Sequence, residues 1–94
     1  MPKKLDEPVI ARKLSGLTGW SRDGDALRKT YVLPMFADAI AFVNRVAAAA
    51  DAMDHHPDMD IRYNRVTFTL STHSEGGLTQ LDFDLARRIE ELSR

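Results

Sequence analysis

The chain has no cysteine, which removes disulfides, thiolate metal ligands and thiol nucleophiles together and leaves histidine, carboxylate and hydroxyl groups to carry any chemistry. It also lacks a charge imbalance: 13 basic against 14 acidic side chains give a net charge of −1. Neither a phosphate backbone nor an anionic lipid surface selects such a chain, so no nucleic-acid and no membrane partner is expected. Long apolar runs are missing too. The most apolar stretch, Phe36 to Ala50, is broken by Asp38, Asn44 and Arg45, well short of the roughly 20 residues that a membrane span requires. Lys3 and Lys4 are followed by no apolar segment of about 7–15 residues, so no secretory signal is read and a cytoplasmic location is the expectation. What remains is one globular domain over residues 1–94. At this size a core buries about two-thirds of the surface of the unfolded chain, and association between copies would add to it.

Punctuation along the chain sets the elements. Asp6 can cap a short helix to Ser15, with Pro8 in its first turn, Ile10 and Leu14 four apart, and Gly16 ending it in a left-handed conformation. Trp20 to Arg22, the turn Asp23-Gly24-Asp25 and Ala26 to Leu33 read as a β-hairpin, with Leu27, Tyr31 and Leu33 on one face apart from Lys29. Trp20 itself is read as a core or interface aromatic. Pro34 can occupy the first position of a long helix that runs to about Met53. Its apolar stripe is Phe36, Ile40, Val43, Ala47 and Ala50, and the small run Ala47 to Ala50 permits close approach of another backbone. A second hairpin follows, hinged near Asn64, in which Val66, Phe68 and Leu70 alternate with Thr67, Thr69 and Ser71. Gly76-Gly77 makes a flexible joint, and Thr79 with Asp82 has capping-box spacing ahead of Leu85, Ile89 and Leu92. The order helix-strand-strand-helix-strand-strand-helix buries best as an α+β domain, a four-stranded antiparallel sheet with its helices on one face. Open sheet edges make self-association plausible.

The candidate chemistry is concentrated between residues 51 and 82. All three histidines fall there, His55 and His56 adjacent and His73 in Ser71-Thr72-His73-Ser74. Imidazole titrates near neutrality, so three around one pocket would suit an elimination. Two other readings stand beside this one: a loop whose imidazoles only satisfy backbone groups, or a zinc site of three imidazoles and a carboxylate, which would need a bent loop because adjacent residues of an extended chain point apart. Asp51 lies near the carboxyl end of the long helix, where the helix dipole disfavours a negative charge, and it is either a proton carrier, an anchor or a solvated surface residue. Asp82 is read first as the capping-box carboxylate.

The stretch Asp51-Ala-Met-Asp-His-His-Pro, five residues, Tyr63, nine residues, His73, eight residues, Asp82 resembles the signature of the pterin-4a-carbinolamine dehydratases. The resemblance extends through Gly19-Trp20, Phe36 to Asp54, Tyr63-Asn64-Arg65-Val66, Leu70 to His73 and Gly76 to Thr79, covering most of the chain from about Gly19 onward. It implies dehydration of 4a-hydroxytetrahydropterin, the carbinolamine left by an aromatic amino acid hydroxylase, to quinonoid dihydropterin, in homodimers or homotetramers and without a metal or organic cofactor. It further implies that His55 and His73 form the acid/base pair, that His56 mainly holds substrate, that Asp51 stands near the pterin, and that Asp54, Ser71 and Thr72 hydrogen-bond the ring. Tyr63 and Asp82 match signature positions with structural parts. Where many relatives carry tryptophan after His-His-Pro-acid, this chain has Met59, expected in the outer wall of the pocket as a softer cover for an apolar ring. The alternatives to an active dehydratase are a protein-binding module resembling the dimerisation cofactors of a homeodomain transcription factor, and a pterin binder of another pathway, such as that of molybdenum-cofactor enzymes, without fast turnover.

Overall fold

The structure, a computed structural model describing residues 2–94, has the expected order of elements. Helix α1 spans Glu7–Leu14, strands β1 and β2 span Ser21–Asp23 and Ala26–Val32, helix α2 spans Phe36–Met53, strands β3 and β4 span Asp58–Arg62 and Arg65–Leu70, a 3-10 turn covers His73–Glu75, and helix α3 spans Gln80–Leu92. The four strands form one antiparallel sheet in the order β1-β2-β4-β3. Alternation along the central strands assigns its faces: Leu27 and Tyr31 of β2 and Val66, Phe68 and Leu70 of β4 are buried, whereas Arg28, Thr30, Val32 and Arg65 are exposed. The helices cover one face and leave the other open.

The core is aromatic at its centre. Phe42, Phe68 and Phe83 are wholly buried, each worth about 1.5–3 kcal/mol relative to exposure, and Tyr31 meets Phe42 and Phe68 edge-on at centroid distances of 5.1 and 5.8 Å. Trp20 joins this cluster, and its Nε1–H donates to Glu90 Oε1 at 3.2 Å. The same oxygen receives Lys29 Nζ and the Tyr31 hydroxyl, so the lysine that interrupted the apolar face of β2 sits there to meet a carboxylate from α3. Gly19 makes this possible: its φ of +83° belongs to glycine, and a Cβ there would stand 2.8 Å from the Lys29 side chain.

Several local expectations are corrected. Asp6 precedes α1 but its side chain makes no cap bond, and Gly16 is not among the residues of positive φ; Ser15 closes the helix in right-handed geometry through backbone bonds to Ala11 and Lys13. Pro34 lies two residues before the first helical residue of α2, whose N-cap is Met35. The stripe of α2 is also shifted. Its buried face is Ala39, Phe42, Val46 and Ala50, while Phe36 and Ala47 are exposed and Ile40 and Val43 half-buried. The helix is apolar on two adjacent faces, and the large Phe42 decides which one enters the core. No helix of the described residues is long and apolar enough to cross a membrane.

Candidate active site

The end of α2 places the histidines. Asp54 adopts a left-handed conformation, φ 52° and ψ 42°, and the N–H of His55 donates to the carbonyl of Ala50 at 3.1 Å, a reversal of the kind that ends many helices. The chain doubles back at this corner, and the two imidazoles part. His55 is buried, with Nε2 2.6 Å from Asp82 Oδ1. His56 is exposed and its Nε2 lies 2.9 Å from Asp51 Oδ1, in the last turn of the helix it has just left. That pairing sets an imidazole partner beside a carboxylate that the helix dipole alone would disfavour.

Asp82 is the hub. It stands at the third position of α3 and completes the expected capping box, with Oδ2 accepting from the Thr79 backbone N–H at 2.9 Å and the Thr79 hydroxyl accepting from the N–H of Leu81 at 3.2 Å. It also does more than cap. Thr72 Oγ1 donates to Asp82 Oδ2 at 2.8 Å, and the Thr79 hydroxyl donates to Thr72 Oγ1 at 2.8 Å. A wholly buried carboxylate therefore takes three donors, from the segments before β3, after β4 and at the start of α3. Such a set satisfies the ionised form. With Asp82 as acceptor, the proton of neutral His55 belongs on Nε2, and Nδ1 is the nitrogen left to exchange protons.

His73, next in sequence to Thr72, begins the 3-10 turn and is exposed. It lines a cavity of about 300 Å³ on the open face at the end of the sheet, together with Asp25, Asp58, Thr69, Ser71 and the Gly76-Gly77 segment. Ser71 Oγ donates to the Asp25 backbone carbonyl at 2.7 Å and ties the floor to one side. A larger cavity of about 430 Å³ lies between Gly16–Thr18 and the end of α3, and no histidine lines it.

The fold thus brings His55, Thr72 and Asp82 into one buried chain, sets His73 and Ser71 in the adjoining cavity, and pairs His56 with Asp51. Asp54 is exposed and serves the corner, Thr72 is buried with its hydroxyl committed to protein groups, and Tyr63 is 64% exposed in the β3–β4 turn, stacked on Phe36 at 6.4 Å. The expectation for Met59 is corrected: it faces Phe68 across the strands and packs against the core, on the opposite side of β3 from the cavity. Asp25, Asp58 and Thr69 were not foreseen. The position of Asp58 directly after His-His-Pro was the one available signal. Among the described residues no three His, Cys, Asp or Glu side chains stand where they could hold a metal ion.

Comparison with known proteins bears on this geometry. A protein of Roseiflexus sp. (strain RS-1) whose assigned name is that of a pterin-4-alpha-carbinolamine dehydratase is 53% identical over 92 residues, which is 98% of this chain and 99% of the relative. A similarly named protein of Thermomicrobium roseum is 52% identical over 90 residues, 96% of this chain and 97% of its own. Among solved structures, a transcriptional coactivator/pterin dehydratase from Brucella melitensis superposes with a TM-score of 0.94 at 34% identity, covering 98% of this chain and all of that one. A pterin dehydratase-like protein identified as a RuBisCO assembly factor shares the fold at a TM-score of 0.65 and 21% identity, over 79% of this chain and 86% of its own. The family model described as pterin 4 alpha carbinolamine dehydratase matches residues 3–92, and the chain belongs to that family of hydro-lyases.

Proposed function

We propose that the chain dehydrates 4a-hydroxytetrahydropterin to quinonoid dihydropterin, recycling the pterin of an aromatic amino acid hydroxylase. The observation that carries the reading is the Asp82 hub, which orients one imidazole and fixes the segment that bears another. The reaction breaks the C4a–O bond as an acid protonates the departing hydroxyl, forms the C4a=N5 double bond, and passes the N5 proton to a base. Water leaves with the acid's proton. Two imidazoles, each able to give or take a proton, suit these two transfers, and the step as written calls on no metal or organic cofactor. In this assignment His55, through Nδ1, and His73 are the acid/base pair, His56 holds substrate with Asp51 behind it, and Ser71 meets the ring. Thr72 and Asp82 act through His55 and His73 rather than on the substrate.

The test is the rate of quinonoid dihydropterin formation from chemically generated 4a-carbinolamine, compared among the intact protein, a His55→Ala, His73→Ala double variant and a no-protein control. Acceleration lost in the variant is the expected result. Acceleration retained would remove the assigned roles, and no acceleration by the intact protein would leave a pterin- or protein-binding module.

Self-association belongs to the same reading. Met35, Phe36 and Tyr63 are large apolar side chains at 49–64% exposure, and the stacking of Phe36 on Tyr63 joins the β2–α2 junction to the β3–β4 turn. A patch of this kind on a small chain marks an interaction surface, and a second copy is the occupant we infer.

A further inference from the structure

The cavity that holds His73 has two sides and a floor, and they are chemically unequal. Sheet order puts β4 in the middle, with β2 on one side and β3 on the other. Thr69 and Ser71 make the floor, Asp25 at the start of β2 makes one side, and Asp58 at the start of β3 makes the other, in register with Thr69. Two strand spacings separate the sides, roughly 10 Å. A flat bicyclic ring fits across that width, with His73 at the open end of the sheet.

The two carboxylates differ in their electrostatic surroundings. The Asp25 backbone carbonyl takes the Ser71 hydroxyl, and the Asp25 carboxylate, though it makes no ion pair among the described residues, lies within the field of Arg22, whose own hydrogen bond goes to Glu7. On the same open face Asp23 stands 3.7 Å from Arg28 and Asp60 lies 3.2 Å from Arg62. Asp58 has no such partner among the described residues. An uncommitted carboxylate facing a cavity is matched by a ligand with two parallel N–H groups, because a carboxylate accepts a bidentate pair. The 2-amino group and N3–H of a 2-amino-4-oxo pteridine present that pair.

We propose that Asp58 anchors the substrate, taking the 2-amino and N3–H edge of the pterin in a bidentate hydrogen bond and so directing the reacting edge of the ring toward His73. This rests on the dehydratase reading and adds to it the residue that recognises the pyrimidine ring. Loss of a contact made equally in ground state and transition state raises KM and leaves kcat alone. Asp58 is a positioning residue in this sense, whereas His73 acts on kcat.

The experiment is calorimetric titration of the full chain and of Asp58→Asn with two probes, 7,8-dihydropterin and its 2,4-dioxo counterpart. The wild type is expected to bind the amino probe about tenfold or more tightly than the dioxo probe, and Asp58→Asn to erase that preference by weakening the amino probe alone. Turnover should show KM raised by about tenfold with kcat within about twofold. A wild type that binds both probes equally overturns the proposal without recourse to any variant. Normal binding of 7,8-dihydropterin by Asp58→Asn in a protein that still accelerates dehydration overturns the Asp58 assignment and leaves the dehydratase reading intact. A wild type that neither binds 7,8-dihydropterin nor accelerates the reaction overturns both.

Discussion

His55 Nε2 and Asp82 Oδ1 lie 2.6 Å apart, and both side chains are buried. The carboxylate at this contact is also the N3 residue of the α3 capping box. One side chain therefore closes a helix end and fixes the tautomer of an imidazole, so the local demand of helix capping and the demand of the site are met by the same atoms. Thr72 connects this pair to the segment of His73, which couples the placement of the two histidines to the start of α3.

Asp82→Asn should separate these contributions. The amide keeps the volume but offers a donor where the Thr79 N–H, the Thr72 hydroxyl and His55 all donate, so either a buried donor loses its acceptor or His55 shifts its proton to Nδ1 to accept from the amide. A loss of about 1–3 kcal/mol in unfolding free energy is expected, read by urea denaturation. Dehydration should fall by about 10²–10⁴ in kcat under conditions where the variant is still folded. Loss of stability with full activity would show that the His55 contact has no part in the reaction.

His73→Ala should behave in the opposite way. The side chain is exposed and its backbone turn is held by Thr72 and Gly77, so unfolding free energy should change by less than about 0.5 kcal/mol. Activity should still drop by about 10²–10⁴. Steady-state turnover beside a denaturation curve decides it, and a large stability loss would make His73 a structural residue.

The sequence pattern made the element order and the sheet's buried face readable because the strands alternate cleanly and the capping box at Thr79 is local. Local signals failed where tertiary packing chose between equal options. On α2 two adjacent apolar faces were available, and only the size match of Phe42 to Tyr31 and Phe68 settles which is buried. Met59 shows the same limit: alternation from Asp58 alone leaves open which of the two neighbours faces the cavity, and pairing with Phe68 decides. The clustering of the histidines was visible in sequence, but their division was not. It follows from the left-handed turn at Asp54, a residue type that tolerates positive φ without announcing it.

The stripe read for α2 became informative through its displacement. Phe36, expected in the core, is 49% exposed and stacks on the exposed Tyr63. If these rings meet a second copy, Phe36→Ser should lower the mass measured by light scattering at a given concentration while barely altering the far-UV circular dichroism. An unchanged mass would mean that the patch is not the contact between copies.

Glu90 supplies a pH-dependent part of the stability. Burial works to raise its carboxyl, but hydrogen bonds from Lys29 and Tyr31, with the lysine charge, outweigh it and hold the group below the ordinary 4.5. A carboxyl lowered in the folded state adds stability that is complete above the unfolded pKa and disappears as pH falls through the folded one. Tyr31 has the opposite sign: burial first, then its bond to Glu90, raises the phenol above its ordinary 10.0, so its contribution is complete below about pH 10 and is lost as pH rises beyond it. Glu90→Gln should therefore cost about 1.5–3 kcal/mol at neutral pH, with the difference from wild type shrinking as pH falls below about 4.5. Denaturation curves of the two proteins between pH 3 and pH 8 would show it, and a difference that stayed constant down to about pH 3 would mean that the Glu90 charge contributes nothing to the cluster.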